Sequence, residues 1–199
     1  MKVILFDLDG VLVDACDFHY KALNHALLEL GYPEISKEKH LDVFNGLPTK
    51  TKLKLMRIPE DKSVVIDELK QKYTIEFIKK DVQRDEDKIS LLKELRKSGL
   101  QIGCVTNCSP STAGLMLSRS GLLRYISIVV TNADVVNPKP SPEGYSLAMT
   151  RMQVAAKDVM IVEDSPKGVA AAKASGAKIV LSVKGPQEVT FKLIMGYIL

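Results

Sequence analysis

Residues 3–14 read Val-Ile-Leu-Phe-Asp-Leu-Asp-Gly-Val-Leu-Val-Asp, and this stretch decides the fold. Its apolar beginning predicts a buried strand over Val3–Phe6. Residues i and i+2 of an extended chain point to the same side, so Asp7 and Asp9 face one point just beyond the strand. Their carboxylates repel each other unless a cation or a shared proton lies between them. Taken alone, this Asp-x-Asp-Gly sequence is equally typical of a polar turn, in which Gly10 provides the sharp bend.

Apolar runs alternate with amphipathic helical patterns along most of the chain. This alternation predicts an α/β protein, with a parallel sheet, helices on both faces and right-handed crossovers. The expected strands are 3–6, 101–106, 126–131, 159–163 and 178–181, and the expected helices between them lie near 88–98, 110–120, 142–152 and 166–175. Residues 16–81 interrupt the alternation, because they hold only helical patterns, near 17–30, 37–45, 49–57 and 61–80.

Three later stretches contain polar residues that could take part in binding or catalysis, and two of these stretches directly follow apolar runs. Thr106 follows the apolar residues 102–105, and Glu163-Asp164-Ser165 follows 159–162. Lys139 lies within Asn-Pro-Lys-Pro-Ser-Pro, where the flanking prolines restrict the backbone. Each stretch has an ordinary explanation by itself, namely the end of a strand, an acidic helix N-terminus or a solvated surface lysine.

A Ser-Pro pair follows each of Thr106, Lys139 and Asp164, as Ser109-Pro110, Ser141-Pro142 and Ser165-Pro166. Serine is a favoured N-cap and proline a favoured first residue of a helix, so each pair predicts a helix start. Helix N-termini carry free N–H groups and partial positive charge. Capping explains each pair alone, but three helix starts at the carboxyl ends of parallel strands predict an anion site at that edge of the sheet.

The composition is that of an ordinary globular protein. Among 199 residues, 46% are hydrophobic and 26% are charged. No stretch approaches 18 continuous apolar residues, so we expect no membrane span. The first strand is predicted to begin at residue 3, so we expect no signal peptide. The net charge is +4 and aromatic residues are few, so we expect no nucleic-acid partner, whereas a modest positive field favours anionic metabolites.

The three cysteines, Cys16, Cys104 and Cys108, are loosely spaced. They lack the close Cys/His pairing of metal sites, so we expect reduced thiols in a cytoplasmic protein. We expect a monomer or a weak dimer.

The four motifs, in this order, resemble the haloacid dehalogenase superfamily, whose first motif is D-x-D-G-[TV]-[LI] at the end of the first strand. This resemblance implies a Rossmann-like catalytic core formed by residues 1–15 and 82–199. It also implies that residues 16–81 form a small helical cap domain inserted into that core.

The resemblance implies hydrolysis of a small phosphorylated metabolite through an aspartyl-phosphate. In that chemistry Asp7 is the nucleophile, and Asp9 is the general acid and base, so Asp9 is expected to be the carboxyl that holds a proton. Lys139 neutralises charge on the phosphate and on Asp7, while the Thr106 hydroxyl and the Asn107 N–H bind phosphate oxygens.

The resemblance also implies a bound Mg²⁺, which takes oxygen ligands. The expected ligands are the Asp7 carboxylate, the backbone carbonyl of Asp9 and the Asp164 carboxylate. Glu163 and Asp164 are adjacent and point to opposite sides of an extended chain, so Glu163 is expected to act on the metal indirectly.

The predicted substrate-binding residues of the cap are His19, Asn45, Gly46, Thr49 and Lys50. His19 matches a histidine of the beta-phosphoglucomutase subgroup that couples the cap to the general acid, although a lone histidine is often a structural residue. For Lys50, a solvated basic face is the more ordinary interpretation.

The chemistry that best fits the motifs is a phosphatase. Asp9 argues against dehalogenases and phosphonoacetaldehyde hydrolases, which lack this second aspartate. Asn45 and Thr49 stand where the mutase has a lysine and an arginine, and Ala15 stands where it has a threonine. Arginine binds phosphate through two parallel hydrogen bonds that threonine cannot supply. A phosphomutase, and a binding module without catalysis, remain alternatives at this stage.

Overall fold

The computed structural model of the chain describes residues 1–44 and 47–198, with the side chain of Cys16 outside this description. The predicted substrate-binding residues Asn45 and Gly46 therefore lie outside the described residues. By its internal contacts the chain divides into two units, Met1–Asp14 with Gln83–Leu199, and Ala15–Val82. These junctions differ by one residue from the predicted ones, and the assignment of the two units as catalytic core and cap stays a prediction.

The larger unit, hereafter the core unit, is built around a parallel sheet with β1 at its centre. The strand order is β3-β2-β1-β4-β5. The strands are β1 (Val3–Phe6), β2 (Gln101–Val105), β3 (Ile128–Val130), β4 (Val159–Glu163) and β5 (Ile179–Ser182). All four residues of β1 are buried, as expected for a strand covered on both faces and flanked on both edges. The predicted α/β class, a Rossmann-like sheet with an inserted helical segment, is confirmed.

Strand register brings the ends of three strands level. Phe6 pairs with Cys104 of β2 and with Val162 of β4. The next residue, Asp7, donates its backbone N–H to the Val162 carbonyl at 3.0 Å. The polar residues that follow β1, β2 and β4 therefore lie at one edge of the sheet.

The helices of the core unit pack around this sheet. They are α5 (Glu86–Lys97), α6 (Pro110–Arg119), α7 (Glu143–Arg151), α8 (Pro166–Ala174) and α9 (Phe191–Ile198). Of these, α6 and α8 begin directly after the polar segments that follow β2 and β4. The hydroxyls of Ser109 and Ser165 cap α6 and α8, with proline at the helix start, as predicted. At the third Ser-Pro pair the helix begins one residue later than expected, and the Ser141 hydroxyl accepts the N–H of Glu143 instead.

The second unit, hereafter the helical unit, has no strand among its described residues. Its helices are α1 (Cys16–Glu29), α2 (Lys37–Lys39), α3 (Thr49–Leu55) and α4 (Glu60–Asp81), with a π-helical turn over His40–Phe44. Apolar side chains from these segments form its own core, including Leu23, Leu27, Phe44, Leu53 and Ile66. The helical unit thus has the hydrophobic interior of a small domain.

No helix in the described part of the chain combines the length and the apolar character needed to cross a bilayer. Cys104 and Cys108 are both buried, and neither is in a disulfide. The cytoplasmic location and the monomeric or weakly dimeric state stay predictions.

Candidate active site

The carboxyl edge of the sheet gathers side chains from four distant segments of the core unit. Asp7 follows β1, Thr106 follows β2, Glu163 and Asp164 close β4, and Lys139 lies in the loop before α7. Three carboxylates of this group, those of Asp7, Glu163 and Asp164, each offer an oxygen within 4.8 Å of the others. The sequence motifs, far apart along the chain, therefore meet at one place.

Lys139 is the centre of this arrangement. Its ammonium donates to Asp7 Oδ1 at 2.6 Å, to Glu163 Oε1 at 2.6 Å and to the Val105 carbonyl at 2.7 Å. An ammonium has three donors, so these three acceptors use all of them. Burial lowers the pKa of Lys139, but the carboxylates of Asp7 and Glu163 outweigh burial and hold the pKa above its ordinary value. Lys139 is therefore a fixed positive charge beside the proposed nucleophile.

The backbone of Lys139 is fixed by the side chain of Asn107. The Lys139 N–H donates to Asn107 Oδ1 at 3.0 Å, and Asn107 Nδ2 donates to the Lys139 carbonyl at 3.3 Å. The sequence predicted a role only for the backbone N–H of Asn107, as a donor to phosphate, and not for its side chain. The two residues are 32 positions apart, and no local pattern in either segment indicates that they pair.

Glu163, which accepts from the ammonium of Lys139, is fully buried, with 0% exposure. Its Oε1 also accepts from the Tyr145 hydroxyl at 2.7 Å, and its Oε2 accepts from the N–H of Asp164 at 3.1 Å. Both oxygens are thus engaged by protein donors. The geometry makes Glu163 an anchor for Lys139, which fits the predicted indirect relation to a metal ion.

Two glycines leave room for the acidic side chains. A Cβ on Gly168, in the first turn of α8, would overlap the carboxylate of Glu163. A Cβ on Gly10 would overlap the carboxylate of Asp164, and Gly10 also has a φ of +80°, which side chains disfavour. The glycine of the Asp-x-Asp-Gly motif therefore provides both a turn and space for Asp164.

The loop after β2 is hydrogen-bonded to the residues that follow β1. The Cys108 thiol donates to Asp9 Oδ2 at 2.7 Å, and the Cys108 N–H donates to Thr106 Oγ1 at 3.1 Å. Asp9 and Thr106 are thereby linked through one residue. Cys108 was not a predicted site residue, because the cysteine spacing carries no sign of this contact.

Negative charge dominates the site. The carboxylates of Asp7, Glu163 and Asp164 cluster together, and those of Asp7 and Glu163 both accept from the ammonium of Lys139. Burial raises the pKa of Asp7, and Glu163 and Asp9 raise it further, while Lys139 lowers it. Burial followed by Glu163 raises the pKa of Asp164 to about 6. An additional cation bound to these oxygens would offset the repulsion.

The remaining predicted residues lie in the helical unit. His19 is in α1, and Thr49 and Lys50 open α3. Thr49 is half-buried, whereas Lys50 is exposed and forms a 3.7 Å ion pair with Glu60. The ion pair shows that Lys50 has a partner within its own unit.

Residues 4–182, most of the chain, match the family of haloacid dehalogenase-like hydrolases. The protein belongs to this family, and the resemblance inferred from the four motifs is confirmed.

Two curated relatives and one solved structure illustrate the similarity. A phosphorylated carbohydrates phosphatase of Thermotoga maritima is 27% identical over 195 residues, covering 92% of this chain and 85% of the relative. A beta-phosphoglucomutase of Bacillus subtilis is 26% identical over 190 residues, covering 88% and 80%. The structure of CbbY from Rhodobacter sphaeroides in complex with phosphate has a TM-score of 0.82 and 21% identity, and the match covers 92% of this chain and 86% of that chain.

Proposed function

We propose that this hydrolase is a phosphatase that cleaves phosphate monoesters of small metabolites by transferring the phosphoryl group to Asp7. The observation that carries the proposal is the contact of Lys139 with Asp7 at 2.6 Å, where the carboxylates of Asp7, Glu163 and Asp164 cluster. A buried carboxylate beside a fixed cation is suited to accept an anionic phosphoryl group. The phosphatase among the relatives also supports the proposal.

In the first half of the reaction, a carboxylate oxygen of Asp7 attacks phosphorus, and the bond from phosphorus to the leaving oxygen breaks. Asp9 donates its proton to that oxygen, so the alcohol departs neutral. Lys139 and the Thr106 hydroxyl offset the charge on the phosphoryl oxygens.

In the second half, Asp9 removes a proton from the water that attacks phosphorus. The bond between phosphorus and the Asp7 oxygen then breaks, which releases inorganic phosphate and restores the carboxylate. The hydrogen bond from Cys108 keeps Asp9 in a defined orientation for both proton transfers.

The donor set fits Mg²⁺, which prefers carboxylate and carbonyl oxygens. Asp7, Asp164 and the backbone carbonyl of Asp9 would hold the ion, whereas Glu163 is engaged with Lys139, Tyr145 and the Asp164 N–H. When bound, the ion supplies positive charge that offsets the negative charge of substrate phosphate and carboxylates.

The substrate we propose is a small phosphorylated sugar or phosphorylated organic acid. Family resemblance and the carbohydrate-phosphate relative support this class. The substrate-binding roles of His19, Thr49 and Lys50 stay predictions, as do those of Asn45 and Gly46.

The decisive experiment measures Mg²⁺-dependent release of phosphate from a generic aryl phosphate and from a panel of phosphorylated metabolites. Asp7→Asn keeps the size of the side chain but removes the nucleophilic carboxylate. We expect its turnover to fall by at least about 10³-fold, with the fold unchanged by circular dichroism. Equal phosphate release by the wild type and Asp7→Asn would reject the nucleophile, and no release from any compound would favour a binding module.

A phosphomutase is the second candidate, because the beta-phosphoglucomutase of Bacillus subtilis is also a relative. Its test is incubation with beta-glucose 1-phosphate and a bisphosphate primer. We expect slow release of phosphate and no product with a moved phosphate group. Efficient formation of glucose 6-phosphate would overturn the phosphatase proposal.

A further inference from the structure

Tyr145 is a fully buried polar residue of the core unit that the proposed reaction steps do not use. It lies in α7, with 0% exposure. Its hydroxyl donates to Glu163 Oε1 at 2.7 Å. The ammonium of Lys139 lies 4.8 Å from the centroid of its ring. One side chain thus contacts both members of the buried Lys139–Glu163 ion pair.

The shared oxygen gives the hydroxyl a specific electrostatic effect. Glu163 Oε1 accepts from Tyr145 and from Lys139, and Lys139 in turn is shared between Glu163 and Asp7. A hydrogen bond from the hydroxyl places a partially positive hydrogen next to Oε1, which weakens the attraction of this carboxylate for the ammonium. Lys139 can then stay close to Asp7 rather than pair with Glu163 alone.

The ring has a second effect on the same ammonium. A cation within about 6 Å of the face of an aromatic ring is attracted by the ring quadrupole, more strongly where water is excluded. The ring of Tyr145 therefore supports Lys139 while leaving its three N–H donors to oxygen acceptors. Hydroxyl and ring together fix where the charge of Lys139 lies.

We propose that Tyr145 is a positioning residue for phosphoryl transfer, acting through Glu163 to hold the Lys139 ammonium against Asp7. This inference rests on the proposed phosphatase activity. A buried tyrosine hydroxyl also needs a partner for stability alone. The two explanations differ in whether its removal changes turnover through Glu163.

The test compares Tyr145→Phe with the wild type in Mg²⁺-dependent phosphate release from an aryl phosphate. The variant keeps the ring and loses only the hydroxyl. We expect kcat to fall by about tenfold to a hundredfold, the size expected for one hydrogen bond to a charged group. KM should change less than about twofold, because the hydroxyl is placed on Glu163 and not on the substrate.

Ser120→Ala is the matched control. Ser120 is a buried residue of the core unit, and its hydroxyl donates to the Met116 carbonyl at 2.8 Å. The control removes one buried hydroxyl outside the site, so it lowers the melting temperature without lowering kcat.

A double-mutant cycle tests the route of the effect. If Tyr145 acts through Glu163, then Glu163→Gln lowers kcat at least as much as Tyr145→Phe, and Tyr145→Phe adds less than about twofold in that background. Wild-type kcat in Tyr145→Phe, or the same loss in both backgrounds, would overturn the inference. An inactive wild type would instead overturn the proposed function, and this inference with it. Since Glu163→Gln leaves Tyr145 intact, unchanged kcat in that variant also overturns the inference, even if Tyr145→Phe does not fold.

Discussion

At the scale of single residues, the arrangement of charged side chains in the site depends on the room that a glycine leaves for one of them. The carboxylate of Glu163 can contact Lys139 only because residue 168 is a glycine and has no side chain. The carboxylate, the ammonium and Asp7 then form a continuous set of hydrogen bonds. A methyl group in the first turn of α8 would therefore disturb the proposed nucleophile through two intervening residues.

Gly168→Ala tests this dependence. The new Cβ would overlap Glu163, so we expect a loss of about 1–3 kcal/mol in the free energy of unfolding. We also expect kcat to fall more than about tenfold, because Lys139 loses its anchor. Urea denaturation and phosphate release measure the two effects.

Gly114→Ala is the control for this substitution. Gly114 lies inside α6, and nothing lies within 4 Å of a Cβ placed there. Alanine is the better helix former, so this variant should be stabilised by about 0.5–1 kcal/mol with unchanged kcat. If Gly168→Ala behaves like Gly114→Ala, the packing argument is wrong.

The residues that carry recognisable motifs could be predicted, whereas their supporting partners could not. Asp7, Lys139 and Asp164 occur in short sequences with a physical signature, namely strand end, constrained loop and helix start. The contact between Lys139 and Asp7 spans 132 positions, and that between Tyr145 and Glu163 spans 18. Such contacts depend on the order and register of the strands, which no local pattern contains.

At the scale of elements, helix α5 illustrates how a buried charge can hold two segments together. Asp85 caps the helix by accepting the N–H of Lys88. The Lys88 ammonium donates to the carbonyls of Pro186 at 2.6 Å and Val189 at 3.0 Å. The segment before α9 is thus hydrogen-bonded to the first turn of α5.

Lys88→Met should destabilise the core unit by about 2 kcal/mol, because two carbonyls lose a charged donor. Lys93→Met, at an exposed position of the same helix, should change stability by less than about 0.5 kcal/mol. Denaturant midpoints compare the two variants. Equal effects would mean that the buried contacts of Lys88 contribute nothing beyond its helix propensity.

The π-helical turn of the helical unit contains a buried imidazole, that of His40. Burial, together with Lys52 and His19, lowers its pKa to about 4, against a small opposite effect of Asp17. The folded-state pKa lies below the unfolded value of 6.5, so the unfolded chain binds more protons. Stability is therefore full above about pH 6.5 and declines as the pH falls towards 4.

His40→Leu removes this dependence. Between pH 7 and pH 4.5 the wild type should lose about 2 kcal/mol more unfolding free energy than the variant. Urea denaturation followed by circular dichroism measures the difference. His25→Gln, at an exposed position of α1, should keep the wild-type dependence. Parallel pH profiles for the wild type and His40→Leu would contradict a neutral buried His40.

The element pattern itself was largely predictable for the core unit. Strands β1 and β4 have the expected bounds, and the other strands differ by one or two residues at their ends. Helix α9 was not predicted, because the short apolar run Phe191–Ile198 has no periodicity that separates a helix from a strand. The predicted helix near 37–45 is instead the short α2 followed by a π-helical turn.

At the scale of the whole molecule, metal binding should couple to folding of the core unit. The carboxylates meet only in the folded chain, so we expect Mg²⁺ to bind the folded state preferentially. At a free concentration of about 100 times Kd, Mg²⁺ should add about 2.7 kcal/mol to the stability of that unit. Thermal denaturation at increasing Mg²⁺ measures this shift.

Asp164→Asn is the control for the metal effect, because it removes one proposed ligand with little change in size. Its melting temperature should respond to Mg²⁺ much less than that of the wild type, and calorimetry should show weaker binding. The same Mg²⁺-dependent shift in both proteins would place the ion elsewhere.

The position of β1 at the centre of the sheet also affects when the nascent chain can fold during translation. The neighbours of β1 are β2, at Gln101–Val105, and β4, at Val159–Glu163. A nascent chain therefore carries an apolar strand with both edges open until about a hundred further residues have been translated, and with one edge open until β4 follows. Molecular chaperones recognise such unpaired apolar segments, so we expect translation speed and chaperone supply to limit the yield of this enzyme more than the stability of its finished fold.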